Sequence, residues 1–217
     1  MRDATMKPSA YLLFALITTG ASGAERVNVG LFSADGLDGW EEKRFAGATE
    51  YTLTEEDGHR VLRAASHGSA SGLYKTMRVD LMKTPYLHWS WKIENTLGPL
   101  DETTKAGDDY PARIYVIASG GLLFWQTRAV NYVWASRQPE GATWPNAFTA
   151  NAGMIAVRSG DSQVGRWIAE RRNVREDYRR AFGRDIRYVD AVALMSDTDN
   201  SGKAATAYYG DIYFSAD

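Results

Sequence analysis

Short segments in which apolar and polar residues alternate run through most of the chain. From Leu87 to Ile93 every second residue is apolar and the intervening ones are polar, the period of two expected of a strand with one buried face. Trp89 and Trp91 share the apolar positions, which predicts that both rings are buried. Four further segments are rich in β-branched and aromatic residues: 113–118, 130–134, 154–158 and 208–214. Gly, Asp, Asn and Pro separate them, and this spacing predicts an antiparallel sandwich or barrel.

One segment carries the signals of a helix at both ends. Asn173 is a favourable N-cap residue, Glu176 follows three positions later, and Gly183 is the expected C-terminal stop. Between the two ends, the positions expected to face the sandwich are Val174, Tyr178, Ala181 and Phe182. The positions expected to face water are Arg175, Asp177, Arg179 and Arg180. We interpret these arginines as a solvated face in preference to an anion site.

The first 24 residues have the composition of a secretory signal. Arg2 and Lys7 provide a positive start, residues 10–17 an apolar run, and small residues lead to a cleavage point at Ala24. The run is too short to cross a bilayer core of about 30 Å, so an uncleaved anchor is the less favoured alternative. We expect a signal peptide over 1–24, a β-sandwich domain over 25–217, and a periplasmic or extracellular bacterial protein without stable membrane insertion.

Composition narrows the kinds of site that the chain can hold. Its 217 residues include 25 Lys and Arg against 27 Asp and Glu, a formal charge of −2, which gives no electrostatic reason to expect a nucleic acid partner. The absence of cysteine excludes disulfides, thiolate nucleophiles and Cys-ligated zinc. An exported chain without disulfides has reason to use a bound ion for stability instead. Motifs of serine hydrolases, zinc proteases and phosphate-binding loops are absent.

A charged cluster at the start of one predicted strand is the first candidate site. Asp108 and Asp109 lead into a strand that carries Arg113 and Tyr115 on the same face. An arginine on a half-buried strand needs an acidic partner or a ligand, and either aspartate is placed to turn back toward it. Carboxylate, guanidinium and phenol groups also hydrogen-bond sugar hydroxyls or hold an acidic sugar's carboxylate. The cluster predicts either a ligand-binding face or an internal ion pair.

Two tryptophans are candidate stacking surfaces for a sugar, because a planar ring packs against the apolar face of a pyranose. Trp134 closes the predicted strand 130–134, and Trp144 precedes Pro145 in a glycine-containing loop. The alternative for Trp144 is that its ring folds down over the core.

The loop Asp197–Gly202 resembles the first half of a calcium-binding loop. Its carboxylates stand at alternate positions and a glycine follows for a tight turn. The EF-hand pattern fails, since Tyr208 occupies the position of the final glutamate. Asp211 is the nearby carboxylate that completes a different cage with Asp197 and Asp199. The loop therefore predicts either a structural calcium or an Asx turn whose carboxylates cap backbone N–H groups.

Several motifs occur together in the order found in a bacterial family. The segments concerned are 89–92, 107–116, 132–135, 177–183, 197–202 and 207–212. They resemble an uncharacterised secreted family known as a domain of unknown function. The resemblance covers nearly all of the chain after the signal, and it implies a jelly-roll sandwich similar to carbohydrate-binding modules. Such modules often keep a structural calcium near one end, with a late-strand aspartate such as Asp211 as a ligand, and bind sugar on a concave sheet face.

The expected fold class is therefore all-β, an antiparallel jelly-roll β-sandwich with one short packed helix. The leading hypothesis is an exported, non-catalytic protein that binds a glycan or similar polar ligand on the concave face. The expected ligand-binding residues are Asp108, Asp109, Arg113, Tyr115, Trp134 and Trp144, and the expected calcium ligands are Asp197, Asp199 and Asp211. One alternative is a polysaccharide-active lyase or hydrolase using the same cleft, and another is a structural envelope protein.

Overall fold

The computed structural model describes residues 25–121 and 126–217, so the predicted signal peptide over 1–24 lies outside the described residues. Most of the described chain is extended. The strands are β1 (Arg26–Gly30), β2 (Glu41–Ala46), β3 (Glu50–Glu56), β4 (His59–His67), β5 (Ala70–Asp80), β6 (Tyr86–Ile93), β7 (Tyr110–Ala118), β8 (Arg128–Ala135), β9 (Thr143–Pro145), β10 (Ala152–Ser159), β11 (Ile168–Asn173), β12 (Tyr188–Asp197), β13 (Ala204–Tyr209) and β14 (Ile212–Ser215). One α-helix, α1, spans Val174–Phe182, and a 3-10 turn spans Lys105–Gly107.

The strands form two sheets of seven. The first has the order β1-β14-β6-β13-β4-β3, with β11 paired to the other side of β6, and the second has the order β2-β5-β12-β7-β8-β10-β9. Neighbouring strands are antiparallel except β8 and β10, which run parallel. The predicted all-β jelly-roll sandwich is thereby confirmed.

A largely aromatic core fills the space between the sheets. Trp89 and Trp91 are buried as the alternation predicts, and their rings pack edge to face with centroids 5.3 Å apart. Trp89 also stacks on Tyr132 of the second sheet at 5.2 Å. Trp134 joins them from β8, is 0% exposed, and donates its indole N–H to the Gly160 carbonyl at 3.1 Å. Trp134 is thus a core residue and offers no open ring face to a sugar.

Because side chains alternate between the two faces of a strand, the core residues of the second sheet also determine which of its residues face outward. Ile114 and Val116 of β7 lie in the core, so the residues between and before them point outward. The same holds for β8 and β12, whose inward residues include Val130, Val192 and Leu194. The outward positions of these three strands include Arg113, Tyr115, Asn131, Met195 and Asp197.

The helix has the ends that the sequence predicts. Asn173 accepts the Glu176 amide on its side chain at 3.3 Å, and Gly183 adopts φ +63°, where a residue without Cβ is favoured, while its N–H bonds the Arg179 carbonyl. The expected exposure of Asp177 is wrong: its carboxylate is buried and accepts the Tyr132 hydroxyl at 2.9 Å.

Among the residues described, no helix has the length and apolar content needed to cross a membrane.

Tyr178 attaches the helix to the second sheet. Its buried hydroxyl lies 2.7 Å from the Val116 carbonyl oxygen and 2.9 Å from that of Arg128, and it accepts the Ala118 amide at 3.1 Å. One side-chain oxygen therefore satisfies backbone groups of β7 and β8, and it does so at the end of these strands that lies away from Asp108.

Replacing Tyr178 with phenylalanine keeps the ring and removes these bonds. The buried backbone partners then lose a hydrogen bond, so we expect the free energy of unfolding to fall by about 1–3 kcal/mol in urea titration. Tyr188→Phe is the matched control, because the contacts of Tyr188 with Arg78 and Arg187 are made by its ring. Equal stability of the two variants would contradict this role for Tyr178.

Candidate functional site

A groove crosses the outward face of the second sheet. It consists of two adjacent cavities of about 420 and 360 Å³ that share Phe45, Tyr115 and Met195 as lining residues. The lining comes from β2, β5, β12, β7 and β8, five neighbouring strands, which corresponds to a width of about 19 Å at the usual spacing between strands. Gly72 and Ala193 lie on the floor of the 420 Å³ cavity, and their small size leaves room above that part of the sheet. We call this feature the cross-strand groove.

A second, smaller apolar cluster closes one end of the same face. Its members are Tyr110, Val133, Ala135, Trp144, Met154 and Ala156. Trp144 is 8% exposed and donates its indole N–H to the Glu102 carbonyl at 3.1 Å. Of the two alternatives for Trp144, the structure therefore places the ring folded down over apolar residues, where it is not a stacking surface for a ligand.

Arg113 is committed to an acidic partner on the floor of the groove. Its Nη2 lies 2.8 Å from Oδ2 of Asp197, on the neighbouring strand β12, and the guanidinium carbon lies 5.0 Å from the Tyr115 ring centroid. The ion-pair partner is thus Asp197, and neither Asp108 nor Asp109 takes that role. Burial lowers the pKa of Arg113, but Asp197 together with Tyr115, Asp108 and Tyr110 outweighs it, so the net pKa is raised and the guanidinium stays charged.

The two adjacent aspartates that precede β7 have different roles. Asp108 lines the groove, accepts the Asn146 side-chain amide at 2.8 and 2.9 Å, and accepts the Tyr110 hydroxyl at 3.1 Å. Burial raises the pKa of Asp108. Asp109 is fully buried, and it accepts the backbone N–H groups of Asn200 and Ser201 at 3.2 and 2.6 Å. Asp109 therefore holds the β12–β13 loop and does not face a ligand in the groove.

On this face, the side-chain amide of Asn131 is not used in hydrogen bonds within the described fold. It lies on β8 directly opposite Tyr115, is 1% exposed, and lines the 360 Å³ cavity. Neither its Nδ2 nor its Oδ1 has a hydrogen-bond partner within the described residues. Nε of Arg113 and Oδ1 of Asp197 in the same cavity are also without one. Buried polar groups are nearly always paired, so these atoms point to a polar ligand.

Exposed aromatic rings stand beside this polar floor. Phe45 on β2 is 65% exposed and Phe148 in the β9–β10 loop is 55% exposed, and both line the groove. Sequence reasoning missed Phe45, Phe148 and Asn131. Asn131 could have been found, because the alternation of β8 places it on the outward face between the inward residues Val130 and Tyr132. Phe45, in a charged strand, and Phe148, in a loop, belong to no alternating pattern that would indicate a role.

The acidic loop after β12 is assembled differently from the sequence prediction. One carboxylate oxygen from each of Asp109, Asp197 and Asp199 lies within 4.8 Å of the others. Asp211, the expected third member, lies between β13 and β14 of the first sheet, where it accepts the backbone amide and hydroxyl of Ser33 at 3.0 and 2.6 Å. Asp211 is therefore replaced in this trio by Asp109, which is distant in sequence but adjacent in the fold.

Solved structures with a similar fold include carbohydrate-binding modules. The family 30 carbohydrate-binding module of the cellulosomal cellulase Cel9D-Cel44B of Clostridium thermocellum matches with a TM-score of 0.52 and 12% identity, over 89% of this chain and 98% of that one. The family 11 module of Lic26A-Cel5E from the same organism matches with a TM-score of 0.47 and 8% identity, over 89% and 95%. A cellulase derived from Cel12A of Rhodothermus marinus matches with a TM-score of 0.44 and 12% identity, over 87% and 95%.

The sequence comparison agrees with the resemblance carried by the motifs. No curated protein matches the sequence. The model of the family described as "Protein of unknown function (DUF3047)" matches residues 38–213, which is most of the chain. The chain therefore belongs to the DUF3047 family, and its fold is a jelly-roll sandwich similar to that of a carbohydrate-binding module.

Proposed function

We propose that this protein is an exported, non-catalytic protein that binds a glycan in the cross-strand groove. The observation that carries the proposal is the unpartnered amide of Asn131 on the groove floor. An amide that lacks both a donor for its oxygen and an acceptor for its nitrogen is complementary to hydroxyl groups, which donate and accept. The signal peptide that the sequence predicts over 1–24 supports the exported location.

The surroundings of Asn131 suit a carbohydrate better than a wholly apolar ligand. Nε of Arg113 adds a donor and Oδ1 of Asp197 adds an acceptor in the same cavity. Phe45, Phe148 and Tyr115 supply ring surface for the apolar C–H faces of sugars. A groove about 19 Å across the strands is long enough for several linked rings, which favours a chain over a single sugar.

The charges of the 360 Å³ cavity favour a neutral sugar over an acidic one, whereas Lys43 adds a cation to the adjacent 420 Å³ cavity. The only cation of the 360 Å³ cavity, among the residues described, is Arg113, and its charge is already engaged by Asp197. Asp108 and Asp199 add negative charge to the same lining. In this cavity a uronic acid would therefore meet like charges without a free guanidinium, so of the two predicted roles of Arg113 we favour hydrogen bonding to sugar hydroxyls over holding an acidic sugar.

Binding is favoured over hydrolysis because the candidate catalytic carboxylates are occupied. Glycoside hydrolysis uses two carboxyl groups that are free to act on the scissile bond. Both oxygens of Asp108 accept bonds from Asn146, and Asp109 is enclosed by the β12–β13 loop. The raised pKa of Asp108, which burial causes, would suit a general acid, and it keeps the enzyme alternative testable.

Asn131→Leu is expected to weaken glycan binding without weakening the fold. Leucine has a similar shape and removes a buried, unpartnered amide, so the free energy of unfolding stays the same or rises by about 1 kcal/mol. Affinity for the bound polysaccharide, measured by titration calorimetry, falls by about tenfold or more through the loss of roughly 1.4 kcal/mol of hydrogen bonding.

Asn173→Leu is the matched control for this variant. It removes an asparagine that does bond within the fold, at the helix N-cap, so it costs about 1 kcal/mol of stability and leaves binding unchanged. A destabilised Asn131→Leu protein with full affinity would contradict the proposal.

Phe148→Ala tests the stacking surface. The ring is mostly exposed and contributes little to the core, so the melting temperature changes little while affinity for the polysaccharide falls by about tenfold. Met82→Ala removes a comparably exposed apolar side chain that does not line the groove, and it is expected to bind as the native protein does. Equal affinity of both variants would show that Phe148 has no contact with the ligand.

Incubation with the bound polysaccharide is expected to release neither reducing ends nor unsaturated products. Product that appears with the native protein and is lost in Asp108→Asn would assign the groove to an enzyme and overturn the non-catalytic assignment.

A further inference from the structure

Three carboxylates from two distant segments of the chain meet beside the groove. Asp109 precedes β7, Asp197 is the last residue of β12, and Asp199 lies in the loop that follows. The carboxylate of Asp109 accepts hydrogen bonds from the backbone N–H groups of Asn200 and Ser201 in this loop. Asp109 thus holds the loop that carries Asp199 beside Asp197.

The fold leaves this trio short of positive charge. Oδ2 of Asp197 pairs with Arg113, but Oδ1, equally buried, has no partner in the described part of the chain. Besides Arg113, the charged groups around Asp197 are the carboxylates of Asp109, Asp108 and Asp199. A buried carboxylate oxygen without a partner is costly, so a cation at this place would be strongly stabilising.

A second observation outside the acidic trio also points to a ligand here. Asn131, which is 1% exposed and has no hydrogen-bond partner for either amide atom within the described residues, lines the same cavity as Asp197 and Asp199. A ligand in this cavity therefore meets this amide as well as the carboxylates of Asp197 and Asp199.

The geometry points to a calcium ion held by Asp109, Asp197 and Asp199 that takes part directly in glycan binding. The donors are all oxygen, which suits a hard divalent cation, and calcium tolerates irregular loops better than magnesium does. The charges also balance, since three carboxylates are neutralised by one guanidinium and one divalent cation. This inference rests on the proposed function, because it assigns the ion to the glycan site.

The position of the trio separates this role from a purely structural one. Asp197 and Asp199 line the groove itself, so the groove is the side from which ligand oxygens reach the ion. Calcium takes about six to eight oxygens, more than three carboxylates supply in most arrangements. Water fills the remaining positions in the free protein, and two hydroxyl groups of a sugar are able to replace it.

The test compares the chelator-treated protein with the same protein after addition of calcium chloride. Calcium alone is expected to raise the melting temperature in a concentration-dependent way. Calorimetric affinity for the bound polysaccharide is expected to be at least about tenfold weaker in chelator, and magnesium at equal concentration is expected to restore less of it.

Asp199→Asn identifies the residues involved without disturbing the fold, since Asp199 is exposed. It is expected to lose both the calcium-dependent rise in melting temperature and the calcium-dependent gain in affinity. Asp35→Asn, a change at an exposed aspartate outside the groove, is expected to keep both.

The outcomes separate this inference from the proposed function. Glycan binding that is equally strong in chelator would overturn the ion's role in binding while leaving glycan binding intact. A calcium-dependent melting temperature in a protein that binds no glycan under either condition would overturn both the proposed function and the bridging role, and would reduce the ion to a structural one.

Discussion

The alternation of side chains along β7, β8 and β12 is the constraint on which the site depends. Each of these central strands places apolar residues in the core, so every neighbouring residue must face outward. Arg113, Asn131 and Asp197 come from three adjacent strands, and they meet on one face only because their parities agree. A slip of one residue in any of these strands would exchange a core residue for a groove residue, so the core and the site are specified together.

The ion pair of Arg113 and Asp197 gives this face its electrostatic character. Breaking such a buried pair by removing one partner usually costs about 3–5 kcal/mol, so the pair is firmly part of the fold. It uses one oxygen of Asp197 and leaves the other, together with Nε of Arg113, without a partner in the part of the chain that the structure describes. The pair therefore stabilises the floor of the groove while leaving a donor and an acceptor for a ligand. Binding sites often contain such groups, which lower the stability of the free protein but serve its function.

The sequence was sufficient for features that depend on local order and insufficient for those that depend on distant contacts. Strand parity placed Trp89 and Trp91 correctly in the core, and applied to Val130 and Trp134 it would have placed Trp134 there too. The exposure expected of Asp177 failed because two side chains enclose it, Tyr132, which lies 45 positions away on another element, and its ion-pair partner Arg172 on the preceding strand. Asp109 likewise joins Asp197 only through the pairing of β7 with β12, which no local pattern reveals.

The likeness to carbohydrate-binding modules concerns the scaffold, whereas the argument for a glycan comes from particular atoms. A jelly roll hosts many functions, and its sheet faces are equally able to be covered by loops, as Trp144 covers one end of this face. What distinguishes the rest of the face is an amide, a guanidinium nitrogen and a carboxylate oxygen that are buried in one cavity and have no partners among residues 25–121 and 126–217. If these atoms served only the fold, replacing them by apolar groups would improve it, so a ligand is the simplest reason for them to be polar.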